Sequence, residues 1–259
     1  GAETIGGDVI GMPIMMENEV LYFRTDLFAE MGIEPPKTME ELEEVAAMLT
    51  DKENDFYGFV ARGKGAAAVT QFSTFLYNFG GEWLNENREP IINQPEAVEA
   101  FDLYGRLLRE YGPPGSTNNH WYEASGILAQ GKAAMYTDAN SLFSVVENPE
   151  SSTVVGNIGY AMMPEGPAGN HPYVSVWGIS MASSSQNKEP SWYLMQWLTS
   201  KDIVKNAQMK GVPGGRRSVW EDPDGASAFP ADWVETFVQS NEIADPYDRP
   251  PVVAVSEVR

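Results

Sequence analysis

Helical and strand signatures alternate along almost the whole 259-residue chain, and this alternation limits the accessible folds more than any other feature. Thr38-Met39-Glu40-Glu41 reads as a capping box, and Leu42, Val45, Ala46 and Leu49 behind it share one helical face, which predicts a helix ending near Leu49. Phe72, Phe75, Leu76 and Phe79 repeat that spacing and stop at Gly80-Gly81, a left-handed terminator. Pro95, preceded by Asn93, opens a third helix whose stripe of Phe101, Tyr104, Leu108 and Tyr111 ends at Gly112-Pro113-Pro114. Further helices are expected over 121–131, 140–147, 188–199, 200–210 and 230–240. Short apolar runs lie between them, from Phe56 to Ala61, Ala133 to Thr137, Ile158 to Met163 and Val174 to Met181, and suit strands. Helices interleaved with such strands imply an α/β fold in layers, with helices covering both faces of a sheet.

Charge narrows the function classes. With 37 Asp and Glu against 17 Lys and Arg, the formal net charge is −20, which repels phosphate backbones and anionic lipid heads, so neither nucleic acid nor a membrane surface is an expected partner. No run approaches the roughly 20 apolar residues that span a bilayer. The opening GAETIGGDVI lacks the basic and apolar segments of a signal peptide, and the chain reads as mature or truncated. Absence of cysteine removes disulfides, thiolate nucleophiles and thiolate metal sites. The only histidines, His120 and His171, sit in turn-like polar settings and read as loop residues.

Catalytic and cofactor signatures are scarce. Arg62-Gly63-Lys64-Gly65 lacks both the third glycine of a dinucleotide loop and the Gly-Lys-Ser/Thr ending of a P-loop. Asp51-Lys52-Glu53-Asn54-Asp55 lacks the sixth-position glycine and twelfth-position glutamate of a calcium loop. No metal or cofactor is implied. The loops 164–172 and 211–216 are rich in Pro and Gly and are candidate hinges.

Aromatic residues carry more information. Trp192, Trp197 and Trp233 fall within expected helices and read as core, whereas Trp83, Trp121, Trp177 and Trp220 fall at loops or strand ends. A Trp so placed can stack on the C–H face of a sugar while neighbouring polar side chains take the hydroxyls. Trp121, beside Asn118 and Asn119, and Trp177, between Val176 and Gly178, are the best candidates for such a role.

Several stretches, taken in order, resemble a known family. Gly11-Met12-Pro13-Ile14, Glu17, Val20 through Phe28, Met31-Gly32-Ile33 and Pro35-Pro36-Lys37-Thr38 are similar to the family 1 extracellular solute-binding proteins of ABC importers, the maltose-binding-protein-like group. Asn78-Phe79-Gly80-Gly81, Gly131 through Met135, Trp177-Gly178-Ile179 and Pro213-Gly214-Gly215-Arg216 continue the resemblance in the same order. Tyr111 through Asn118 and Val146-Glu147-Asn148-Pro149 further resemble the mannitol- and sorbitol-binding members.

The resemblance implies a periplasmic-binding-protein-like (type II) fold, in which two α/β lobes joined by three crossings close on a ligand. Family members are much longer, so this chain is expected to hold mainly the second lobe with part of the first. Residues 1–11 would be a remnant of the first lobe, 12–172 the second lobe, 173–177 the second crossing, 178–215 a segment of the first lobe and 216–259 the return to the second. Carried over by position, Glu17 would accept ligand hydroxyls, Trp177 would stack on the ligand, Asp138 would lie in a cleft loop and Arg216 would stand at the third crossing. Arg62, Asn119 and Trp121 complete the expected ligand-binding set. A competing role for Glu17 and Arg216 is a salt bridge at the hinge. Ser141 stands where the family often has Trp, which favours a small ligand. The implied function is a monomeric, non-enzymatic periplasmic or extracytoplasmic receptor that delivers a polyol or small sugar to the transmembrane subunits of an ABC permease. Alternatives are a hydrolase using paired carboxylates, or the same receptor fold with an amine or peptide ligand.

Overall fold

In the computed structural model, which describes residues 4–5, 7–246, 249, 250 and 252, a short antiparallel pair, β1 (Thr4–Ile5) and β2 (Asp8–Val9), leads into the 13-residue strand β3 (Met12–Arg24). The remaining parts of the expected terminal segments 1–11 and 216–259 lie outside the described residues. Strands β4 (Tyr57–Val60), β5 (Ala133–Ala139), β6 (Ile158–Met162) and β7 (Val174–Ile179) follow. The helices are α1 (Thr25–Met31), α2 (Met39–Leu49), α3 (Gly65–Asn78), α4 (Pro95–Glu110), α5 (Trp121–Ala129), α6 (Phe143–Val146), α7 (Lys188–Leu198), α8 (Lys201–Gln208), α9 (Arg217–Trp220) and α10 (Ala231–Ile243).

Strand β3 organises the sheet. Its first half, Met12–Asn18, pairs antiparallel with β7, whereas its second half pairs antiparallel with β5 on one side and β6 on the other, and β4 extends the sheet parallel to β5. Because side chains alternate across a strand, Leu21 faces the core built with α2, α3 and α4, whereas Val20 and Tyr22 face the core built with α5 and α10. Both faces of the sheet are therefore covered, as the α/β reading requires.

Local chemistry explains the element boundaries. The Thr38 hydroxyl accepts the Glu41 backbone N–H at 3.1 Å while the Glu41 carboxylate accepts the Thr38 N–H, closing the expected capping box on α2. Helix α2 then packs so close to β4 that a Cβ on Gly58 would lie 1.9 Å from the carbonyl oxygen of Ala46. Gly80, at φ +81, turns the chain after α3.

Three sequence expectations need correction. The buried stripe of α4 is Ala97, Ala100, Leu103, Tyr104 and Leu107, one residue out of phase with the expected one; Phe101 is 45% exposed and stacks on Phe72. Trp192 and Trp197 are 46% and 57% exposed, not core, because α7 turns only Met195 fully inward. Trp233 is core as read, 1% exposed with its indole N–H donated to the Asn140 carbonyl, while Trp83 is buried and Trp220 packs on Trp233. Strand β3 and helices α1 and α9 went unread as secondary structure.

Both candidate hinge loops are tied down in this conformation. The side chain of Asn78 donates to the Pro164 carbonyl at 2.8 Å and accepts the His171 backbone N–H at 2.6 Å, holding 164–172 against the end of α3. Loop 211–216 lies along β3, with the Met16 N–H donated to the Pro213 carbonyl at 3.0 Å.

Candidate functional site

Four residues read from the sequence, Glu17, Arg62, Trp121 and Trp177, line one cleft of about 640 Å³. One wall is the sheet surface of β3 and β7, where alternation puts Met15, Glu17, Ser175 and Trp177 on a single face. Glu17 lies opposite Ser175, and Trp177 is its diagonal neighbour, within reach of a long side chain. The Trp177 indole N–H donates to Glu17 Oε2 at 2.6 Å, and the Ser141 hydroxyl donates to Glu17 Oε1. The carboxylate is thereby fixed in orientation with lone pairs left over, beside an indole that is 55% exposed. No hinge salt bridge joins Glu17 to Arg216.

Another part of the lining stands outside the carboxyl ends of the parallel strands β4 and β5, the usual place for ligands in α/β sheets. Val60 pairs with Tyr136, so two residues further on Arg62 meets Asp138. Asp138 is fully buried and does not reach the cleft. Its carboxylate receives both Nε and Nη2 of Arg62, Gln71 Nε2 at 2.9 Å, the Tyr136 hydroxyl at 2.6 Å and the Ala139 backbone N–H at 2.7 Å. Burial alone would lower the pKa of Arg62, but the charge and hydrogen bonds of Asp138 outweigh it and push it up, so the guanidinium stays charged. Burial first, and the Asp138 charge second, raise Tyr136 well above the ordinary tyrosine range, which keeps its phenol protonated as a donor. Asp138 thus works behind the cleft wall, presenting Arg62 with Nη1 uncommitted to it.

Two expected residues lie elsewhere. Asn119 is buried outside the cleft lining, and its carbonyl accepts the Gly63 and Lys64 N–H groups at 3.0 Å each, which shapes the loop that carries Arg62. Arg216 is exposed beyond the cleft, its guanidinium donating to the Thr199 carbonyl at 2.8 Å and the Ser218 hydroxyl at 3.2 Å.

Two further residues escaped the sequence reading. His120 lines the cleft next to Trp121 and caps α5, its ring Nδ1 accepting the Trp121 backbone N–H at 2.8 Å and its backbone N–H donated to Glu123 at 2.9 Å. The Glu three positions after His120 was the available sign of a helix start, not of a free loop. Glu19, next to Asn18 where β3 exchanges partners, is fully buried near Thr74, Thr137 and Asp138. Burial raises its carboxyl well above the usual range, the Asp138 charge adding to this against the pull of Thr74. No periodicity marks a buried carboxyl in a strand.

The sequence model of the bacterial extracellular solute-binding protein family matches residues 2–205. The mannitol-binding protein of Pseudomonas aeruginosa is 29% identical over 229 residues, which cover 85% of this chain and 52% of that protein. The erythritol/L-threitol-binding protein of Mycolicibacterium smegmatis is likewise 29% identical over 229 residues, covering 84% of this chain and 46% of its own. A crystal structure of an ABC transporter solute-binding protein from Agrobacterium radiobacter in complex with ribitol superposes with a TM-score of 0.87 at 31% identity, covering 96% of this chain and 63% of that one. The chain spans about half the length of the curated relatives it matches.

Proposed function

The chain belongs to the bacterial extracellular solute-binding protein family and has its type II α/β fold, and we propose that it is the receptor of an ABC importer that captures an acyclic polyol or small sugar in the cleft described above. The observation that carries this reading is the division of labour across the cleft. Glu17 offers acceptor lone pairs from the β3 wall, Arg62 offers donors from the β4 wall, and Trp177 and Trp121 supply flat apolar surfaces. Hydroxyl groups both donate and accept, and the carbon chain between them is apolar, so a polyol meets all three kinds of surface. The relatives named for mannitol and for erythritol and threitol, and the ribitol complex, support this ligand class.

Delivery to a permease outside the cytoplasmic membrane is part of the same proposal, supported by the family match. Among the described residues no helix is long and apolar enough to cross a membrane. We take 12–172 and 216–259 as one lobe and 178–215 as part of the other, joined at 173–177, with most of the cleft lining on the first of these and Gly211, Val212 and Pro213 contributed by the second. The non-enzymatic reading is supported by the relatives, which are named as binding proteins. Titration calorimetry of the 259-residue chain against ribitol, D-mannitol, erythritol, maltose and putrescine tests the proposal. Binding of one of the three polyols, recovered unchanged afterwards, is the expected result. Heat only with putrescine, or conversion of the ligand, would refute it.

A further inference from the structure

The receptor reading leaves the His120 ring in the cleft lining without a task. His120 is immobilised at both ends, its backbone N–H on the Glu123 carboxylate and its Nδ1 on the Trp121 N–H. A ring nitrogen that accepts a hydrogen bond carries no proton, so in the neutral imidazole the proton resides on Nε2. Partial burial first, and the charges of Arg62 and Lys64 after it, lower the pKa of the ring against the opposing pull of Glu123 and Asp138, which favours that neutral form.

We propose that His120 is a ligand-binding residue of the cleft whose Nε2–H donates to a hydroxyl oxygen of an acyclic polyol, beside the donors of Arg62. This rests on the polyol-receptor reading given above. The consequence is a second donor in the cleft besides Arg62. Arg62 and His120 supply donors to the cleft that Glu17 lines with an acceptor. A ligand chain then meets His120 and Arg62 with hydroxyl oxygens and Glu17 with a hydroxyl hydrogen. The backbone amide of Trp121 decides this: were the proton on Nδ1, the same ring would offer the cleft a lone pair in place of a donor.

Two measurements test the proposal. Long-range 1H–15N spectra of the free chain report the tautomer of each ring, and a His171→Gln variant separates the two histidines. The Nε2–H form is expected for His120. Calorimetry with ribitol and D-mannitol then compares the wild type with His120→Asn, which retains an N-cap acceptor for α5 but has no donor reaching as far as Nε2. The variant should melt close to the wild type and bind polyol about five- to tenfold more weakly, the effect of one lost hydrogen bond. An Nδ1–H tautomer, or equal affinities in a wild type that does bind polyol, would overturn the proposal and leave the receptor reading standing. A wild type that binds neither ligand would overturn both.

Discussion

Replacing Asp138 by Asn separates two roles for that carboxylate, contact with the ligand or anchorage of Arg62. Its two oxygens accept five hydrogen bonds, two from Arg62 and one each from Gln71, Tyr136 and Ala139, and the group itself is 0% exposed. Asn removes the charge and turns one acceptor into a donor facing other donors. The Arg62 side chain, only 13% exposed, is left with a positive charge and no counter-ion. Breaking a buried ion pair from one side costs about 3–5 kcal/mol. A chain of this size melts roughly 2–4 °C lower per kcal/mol, so the expected fall is about 6–20 °C. Urea unfolding followed by tryptophan fluorescence gives the stability, and calorimetry with D-mannitol gives the affinity. The double variant Arg62→Met/Asp138→Asn should be destabilised by less than the sum of the two single changes, by on the order of 1–3 kcal/mol, because the second substitution removes the orphaned charge. If Asp138→Asn unfolds at the wild-type urea concentration while polyol binding disappears, the carboxylate touches the ligand and the anchoring argument is wrong.

Trp177→Ala should leave the melting temperature within a few degrees, because the indole is 55% exposed, yet lower polyol affinity by about 10- to 100-fold through lost apolar contact; calorimetry and thermal melts on the same preparation decide between binding and core roles. Glu19 has a folded-state pKa above its unfolded one, so the stability it lends is complete below the ordinary value of 4.5 and is lost as pH rises. The advantage of Glu19→Gln over wild type in urea melts should therefore grow between about pH 5 and about pH 8, and a constant difference would contradict burial of the acid. A surface at −20 repels itself, so the melting temperature is expected to rise between about 0.05 and about 1 M sodium chloride, and a flat or falling curve would contradict this. Gly58→Ala should cost about 1–3 kcal/mol or more, since its methyl group would collide with the Ala46 carbonyl of α2; an unchanged urea midpoint would show that α2 can retreat at no cost.

What the sequence made legible follows from where pattern and burial coincide. Helix α2 was readable because its cap and its apolar face are both local, and β5 because Ala133 through Thr137 form a bounded apolar run. Strand β3 was not, because Pro13, Glu17, Asn18 and Glu19 interrupt any alternation, although Asn18 and Glu19 are fully buried. Asn18 is tolerated there because it donates to the Asn241 side chain at 3.0 Å and accepts from Asn140 at 3.1 Å, partners more than a hundred residues away that no local window reveals. The exposed Trp192 and Trp197 mislead in the opposite sense, since helical spacing of aromatics says which face is apolar and not whether anything covers it. In the site, aromatic residue types suggested Trp121 and Trp177 and the family resemblance supplied Glu17 and Arg62, whereas the retreat of Asp138 behind Arg62 depends on strand register. Only pairing of Val60 with Tyr136 reveals that.

Strand β3 joins cleft and core on a single run of backbone, and this has a consequence for insertions and deletions. Glu17 faces the cleft and Val20 through Phe23 interleave with both hydrophobic layers, so the two sets are locked in phase by a period of two. A chain one residue longer or shorter between Glu17 and Val20 would either hand the cleft Met16 or Asn18 in place of the carboxylate, or turn the two cores inside out. Between Pro13 and Met15 the register against β7 already slips, and a bulge there can absorb a change of length without disturbing either partner. Descendants of this sequence can thus vary in length at the start of the strand, while its middle has no freedom to do so.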